Sequence, residues 1–308
     1  MRSEEGALFS IAEGEAQKHD ESPPAPVIGV CSSNGRLAVL TCDLGKTISW
    51  HFRRHAGDRW PVEAIFKSEG DELIAFDCDV DAVTVVTNKR LLVSTAGKQK
   101  VVTLSETLTR GLTAAIHVTR DRVLVGLNMG EWGGGLHRID RKTGTVKVIE
   151  RNTTGELCRG PLDTGCDPVH AIVAEPWKPD CVVAAIGVIH LRPHGRLVEV
   201  CGDRVQRLFF RPFGQQFAED LSPTSENVEP RSTVAFFGLA RVVDALWAVG
   251  NDGLYRVSAS GVELQPLPEF KDVGEIQVSF GLPRIVLVLT DINRRMSVST
   301  SVPIMVPR

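Results

Sequence analysis

Read for the alternation of apolar and polar residues, the chain repeats one plan six times: four short β-strand patterns in a row, parted by turn residues. The clearest unit opens LTAAIHVTRD, continues RVLVGLNM and GGLHRID, and closes TVKVIE, over residues 112–150. Another reads TVAFFGLA, ALWAVGN, GLYRVSAS and GVELQPL, over 233–267. VIGVCSS, RLAVLTC, TISWHF and VEAIF make up 27–66, and LIAFDCD, AVTVVTN, RLLVST and KVVTL make up 73–104. HAIVAEP, CVVAAIGVIH, GRLVEVCG and RVQRLFF follow over 170–210, and IQVSFG, IVLVLTD, MSVST and PIMV close the chain. The second pattern is almost wholly apolar in every unit, as a strand covered on both faces requires. A unit of this size cannot bury such a strand alone, so it must stack on its neighbours.

Four-stranded units of ~40 residues are the mark of propeller blades. The expected fold class is all-β, a six-bladed β-propeller with four-stranded antiparallel blades; a seventh blade within the long loops is the alternative. A sandwich seldom needs ~24 strands. Over roughly residues 27–307 the strand plan resembles the wider β-propeller superfamily, including bacterial propellers of the WD-repeat and YVTN-repeat kind. The Trp-Asp dipeptide, the Gly-His pair and a regular YVTN tetrapeptide are absent. The resemblance therefore implies an architecture and no particular reaction, because one propeller scaffold serves many functions. Residues 1–25, polar and ending in SPPAP, read as a flexible arm in which ALFSI could add a strand to a sheet edge. Residues 26–308 read as one propeller domain.

The 308 residues carry 35 basic and 38 acidic side chains, for a net charge of −3. No global field favours phosphate backbones or anionic lipid, so neither nucleic acid nor a membrane is expected as partner. The N-terminus is acidic where a signal peptide needs positive charge, and no run approaches the ~18 apolar residues of a membrane span. Of seven cysteines, Cys31, Cys42, Cys78, Cys181 and Cys201 fall in or beside strand patterns, where a free thiol packs as a small hydrophobe. Seven free thiols in a cytoplasmic monomer are the expectation.

Departures from the repeat locate a site. The connection between second and third strands is tight in units two, five and six (TNKR, NDG, TDINR). It swells to LNMGEWGGGL in unit three, and in unit four the strand runs on into VIHLRPHGR. The connections from unit three to four and four to five are long as well, and in a propeller both loop classes share one face. A ligand- or protein-binding module using the loop-rich face of blades three to five is the reading, with the 151–168 and 211–230 loops contacting the partner. Its binding residues are Asn128, Glu131, Trp132, His170, His190 and His194. Trp132 offers a flat anchor, Glu131 a charge, and Gly133, Gly134 and Gly135 leave backbone amides open to a partner. The alternative for the same segment is a wide bulge, its glycines supplying positive φ and Trp132 covering a neighbouring blade.

Other chemistry finds less support. Cys158, Cys166, His170, His190 and His194 match no structural zinc spacing, and Pro193 argues against a helical His pair. No cofactor is expected. A Cys158–Cys166 disulfide belongs only to an exported form of the protein. The alternative function is a metal-assisted hydrolase or lactonase at the mouth of a central channel. The resemblance to propeller lactonases implies that Asn88, Asn128, Asn251, Asp252 and Asp291 would converge there. Hairpin turns account for the same residues, since Asn and Asp tolerate positive φ, and no catalytic residue is assigned.

Overall fold

The six repeats fold into six successive antiparallel sheets, each with its strands in chain order. The computed structural model describes residues 9–12, 15–18, 23–33, 35–45, 47–57, 59–152, 160–190, 192–213, 232–267, 273–280, 285–292 and 300–308. Strands β1 (Phe9–Ala12) and β2 (Glu15–Lys18) pair only with each other. Of the ALFSI segment, the described residues Phe9–Ile11 pair with Ala16–Lys18. The first sheet holds β3 (Val27–Ser33), β4 (Arg36–Leu44), β5 (Ile48–Arg54) and β6 (Val62–Lys67). The second holds β7 (Leu73–Cys78), β8 (Ala82–Thr87), β9 (Arg90–Thr95) and β10 (Lys98–Thr103).

The third sheet runs β11 (Thr113–Val118), β12 (Arg122–Asn128), β13 (Leu136–Asp140) and β14 (Val146–Ile149). The fourth is β15 (Val169–Ala174), β16 (Cys181–His190), β17 (Arg192–Cys201) and β18 (Arg204–Phe209). The fifth is β19 (Phe236–Val242), β20 (Ala245–Gly250), β21 (Gly253–Ser258) and β22 (Gly261–Pro266). Among the described residues the sixth holds β23 (Val273–Ser279), β24 (Ile285–Ile292) and β25 (Thr300–Pro307). There the expected fourth strand, PIMV, lies within β25 and pairs directly with β24, while MSVST falls mostly outside the described residues. These up-and-down sheets are the blades of an all-β, six-bladed propeller plan.

Burial follows strand rank as the apolar pattern demands. Second strands such as β8 and β12 are buried along nearly their whole length, whereas the outermost β10 and β22 are exposed almost throughout. The core lies between consecutive sheets. Leu124, Leu136, Val169, Ile172, Val182 and Ile186 form one cluster, and Val183, Leu197, Phe236, Leu246, Ala248 and Tyr255 the next. Glycines let the sheets meet. A Cβ added at Gly29 would stand 2.1 Å from the Phe76 ring, at Gly126 2.3 Å from Val169, at Gly187 2.5 Å from the Phe236 backbone, and at Gly238 2.6 Å from Val278.

The chain divides into two compact units. One comprises Met1–Arg110, Val118–Val123 and Ile139–Val146; the other comprises Gly111–His117, Leu124–Arg138 and Lys147–Arg308. The first carries a cleft of about 370 Å³ lined by Arg54, Glu63, Val80, Ser94 and Ala96, among others. Arg54 is buried there, donating to Glu63 and to the Asp79 carbonyl.

The cysteines correct the sequence reading. Cys31 and Cys78 form a disulfide between β3 and β7, with Cα atoms 6.1 Å apart. Cys181 and Cys201 form another, 4.4 Å apart and directly opposed on β16 and β17. Cys166 is disulfide-bonded too, Cys42 is free, and Cys158 lies outside the described residues. Side chains that read as small buried hydrophobes are thus paired across strands, because in-register or facing strands bring two Cβ atoms within bonding reach.

Candidate functional site

The site region lies within the second unit, where β12 ends and β16 turns into β17. Asn128 starts it. Its side-chain carbonyl accepts from the Gly130 amide at 2.9 Å and its amide donates to Thr113 Oγ1 at 3.1 Å. Gly130, Glu131 and Trp132 then form one 3₁₀ turn, closed by the Gly133 amide donating to the Gly130 carbonyl. Trp132 stands out from that turn with 72% of its surface exposed.

The glycines do something other than expected. Gly133, Gly134 and Gly135 all have positive φ, at 77°, 124° and 67°. A Cβ on Gly133 would sit 2.4 Å from the Thr164 carbonyl oxygen, and one on Gly134 2.3 Å from that of Leu127. Their amides are all engaged: Gly133 with Gly130, Gly134 with the Thr164 carbonyl at 3.0 Å, and Gly135 with that of Asp167 at 2.9 Å. The glycines therefore seat the turn on the chain's own 163–167 segment and leave no amide for a partner. The backbone of this segment is structural, and the indole does not cover a neighbouring blade but is exposed.

That 163–167 segment is anchored from below. Arg196 on β17 and Asp167 are both fully buried and ion-paired, and the Arg196 Nε also donates to the Pro161 carbonyl at 2.7 Å. The second Asp167 contact is the Asp163 amide, donating at 2.7 Å. His194 completes the cluster, with Nε2 2.8 Å from Arg196 Nη1 and 3.3 Å from Asp167 Oδ1. A guanidinium can only donate, so Nε2 accepts in the shorter contact.

The extended fourth-unit strand is present as expected. β16 and β17 are ten residues each, against six for β8 and β9, and pair to the tip at His190↔Arg192. This lifts His190 to the 3₁₀ turn, where its Nδ1 lies 2.6 Å from Glu131 Oε2, both groups being partly open to solvent. Leu112, 77% exposed, comes within 3.6 Å of a Cβ built on Gly130. His190 and Glu131 are thus brought together next to Trp132 in the chain, Leu112 lies near Gly130, and His194 belongs to the Arg196–Asp167 cluster.

His170 departs from this group. Its Nε2 is 2.6 Å from the Gly187 carbonyl and its ring meets Phe237 edge-on at 5.1 Å. Burial lowers its pKa, and the Gly187 hydrogen bond only partly opposes that. It is an internal donor holding β15 to β16. The residues offered for a channel metal are likewise engaged locally. Asn88 accepts from the Glu72 amide, Asn251 accepts from the Ala235 amide, and Asp252 accepts from the Tyr255 hydroxyl at 2.7 Å. The Asp291 side chain, residues 153–159 of the 151–168 loop and residues 214–230 of the 211–230 loop lie outside the described residues.

Sequence reasoning missed Asp163, Asp167, Arg196 and Leu112. A charged residue inside the apolar pattern GRLVEV was the available signal for Arg196; its partner 29 positions earlier gave none.

No family model and no curated protein matches the chain. Similar solved structures include the extracellular domain of a one-component system from B. thetaiotaomicron, with a TM-score of 0.48 and 13% identity over 94% of this chain and 36% of that one. The chain spans about a third of that domain. The N-terminal domain of Nup159 has a TM-score of 0.45 and 11% identity over 92% of this chain and 83% of that one. Hsv2 of Kluyveromyces lactis has a TM-score of 0.47 and 9% identity over 93% and 84%.

Proposed function

We propose that the chain is a protein-binding module that engages its partner with Trp132 on the turn after β12. The observation that carries this reading is the combination of 72% exposure at Trp132 with a backbone tied down on every side. Large exposed aromatics on rigid supports lose little entropy on contact and are frequent binding anchors. Leu112 extends the apolar surface, and the Glu131–His190 pair gives it a polar rim of both hydrogen-bonding senses. Chemistry is not required of these groups; the mechanism is presentation of a fixed shape.

Trp132→Ala tests it. Partner captured from the native host should bind the variant more weakly by ~2 kcal/mol or more, with the thermal melt unchanged. An unchanged affinity would move the contact elsewhere. A melt lowered by the ~3–5 kcal/mol of a buried aromatic truncation would make the indole a structural cover.

A further inference from the structure

The opposite end of the fourth blade carries a cluster that the binding face does not use. Glu175 follows β15, Cys181 opens β16 and Cys201 closes β17. The Glu175 amide donates to the Cys181 carbonyl at 3.0 Å, which holds the side chain over the strand ends. One carboxylate oxygen and the two sulfurs all lie within 4.8 Å of one another.

Glu175 is out of place as a purely structural group. Its side chain is 0% exposed, yet neither oxygen has a partner in good hydrogen-bond geometry: Trp177 and Glu199 are its polar neighbours, and the Lys178 ammonium stands off at 3.9 Å. The neighbouring Glu199, equally buried, is fully engaged by Lys178, by Arg204 at 3.3 Å and by Gln206 at 2.6 Å. A buried carboxyl group this loosely matched is costly and is seldom kept without a use. This one faces two sulfurs. Two thiolates and a carboxylate are the donor set of a zinc-class dication, with a fourth position left for water.

We propose that Cys181, Cys201 and Glu175 form a redox-gated metal site. As a disulfide the sulfurs are closed to metal; once reduced, they and Glu175 hold one thiophilic dication. A dithiol reductant delivers two electrons and two protons to the S–S bond, gives two thiols and leaves as its own disulfide. On binding metal, both thiols release their protons to solvent. Two thiolates and one carboxylate around a dication leave one net negative charge, which the Lys178 ammonium faces. Cys201 is partly exposed, so the reductant has access.

The test titrates cobalt(II) chloride into protein reduced with a phosphine, in which water supplies the oxygen of the phosphine oxide. The reduced protein should bind one equivalent with a thiolate-to-cobalt charge-transfer band that zinc chloride displaces, and the oxidised protein should show no band. Cys201→Ser should abolish the band. Glu175→Gln leaves the disulfide untouched and should weaken cobalt binding by roughly tenfold or more. The proposal is overturned by a band that survives Cys201→Ser, by unchanged affinity in Glu175→Gln, by reduced protein that binds no cobalt, or by loss of the β-sheet circular dichroism on reduction alone.

Discussion

Replacing Asp167 with Ala would leave the Arg196 guanidinium at 0% exposure with its carboxylate partner gone. The Pro161 carbonyl and the His194 ring that Arg196 also meets do not carry the charge that Asp167 supplies. Breaking a buried pair by removing one partner costs ~3–5 kcal/mol, most of it the penalty of the uncompensated charge. At ~2–4 °C per kcal/mol for a chain of this size, the melting temperature should fall by on the order of 10 °C. The double variant Asp167→Ala with Arg196→Met removes both charges and fills the space, and should recover most of the loss. Thermal melts of wild type, single and double variants followed by far-UV circular dichroism give the comparison. A single variant within about 1 kcal/mol of wild type would refute the reasoning, as would a double variant no better than the single.

Glu175 is pushed up to about 7 from 4.5, by burial first and then by the Glu199 charge. The folded chain therefore holds that proton more tightly than the unfolded one. The resulting stability is complete below about 4.5 and is lost as the pH climbs to about 7. Burial would raise Glu199 as well, but the Lys178 ammonium overrides it and holds Glu199 low, outside that window. Glu175→Gln should flatten the urea-midpoint profile across it; an unchanged slope would reject the assignment. Tyr255 is the chain's single tyrosine, and burial, with its hydroxyl donated to Asp252, raises its pKa well above 10.0. Its phenolate absorbance should stay undeveloped at pH ~10, and a midpoint there would contradict the buried hydroxyl. Thiol titration of unfolded, unreduced protein should find Cys42 reactive and Cys31, Cys78, Cys166, Cys181 and Cys201 blocked; seven reactive thiols would restore the reducing-compartment reading.

The blades were legible because their signal is local. β3, β9 and β16 begin and end where the apolar runs VIGVCSS, RLLVST and CVVAAIGVIH do, since hairpin turns bracket each run. In the sixth blade the PIMV run lies within β25 at the end of the described sheet order, where Pro303 is tolerated, while MSVST falls mostly outside the described residues. Within the site, the enlarged connection after β12 and the long β16–β17 hairpin were visible as insertions. What supports them was not. Gly133 is dictated by the Thr164 backbone, Arg196 by Asp167 and Cys31 by Cys78, and each of these partners lies tens of residues away with no periodicity to announce it.

The glycines at the sheet contacts make the blades poor substitutes for one another. Phe76 fits over Gly29, Val169 over Gly126 and Val278 over Gly238, so the first, third and fifth sheets each offer a recess cut for a side chain of the next. A repeat protein with uniform interfaces can gain, lose or exchange units and still stack. Here a duplicated fifth blade would create a new joint in which its own first strand, and not Val278, faces the Gly238 recess. The order of blades is written into their joints, and this chain can change at its loop tips far more readily than in its number of units.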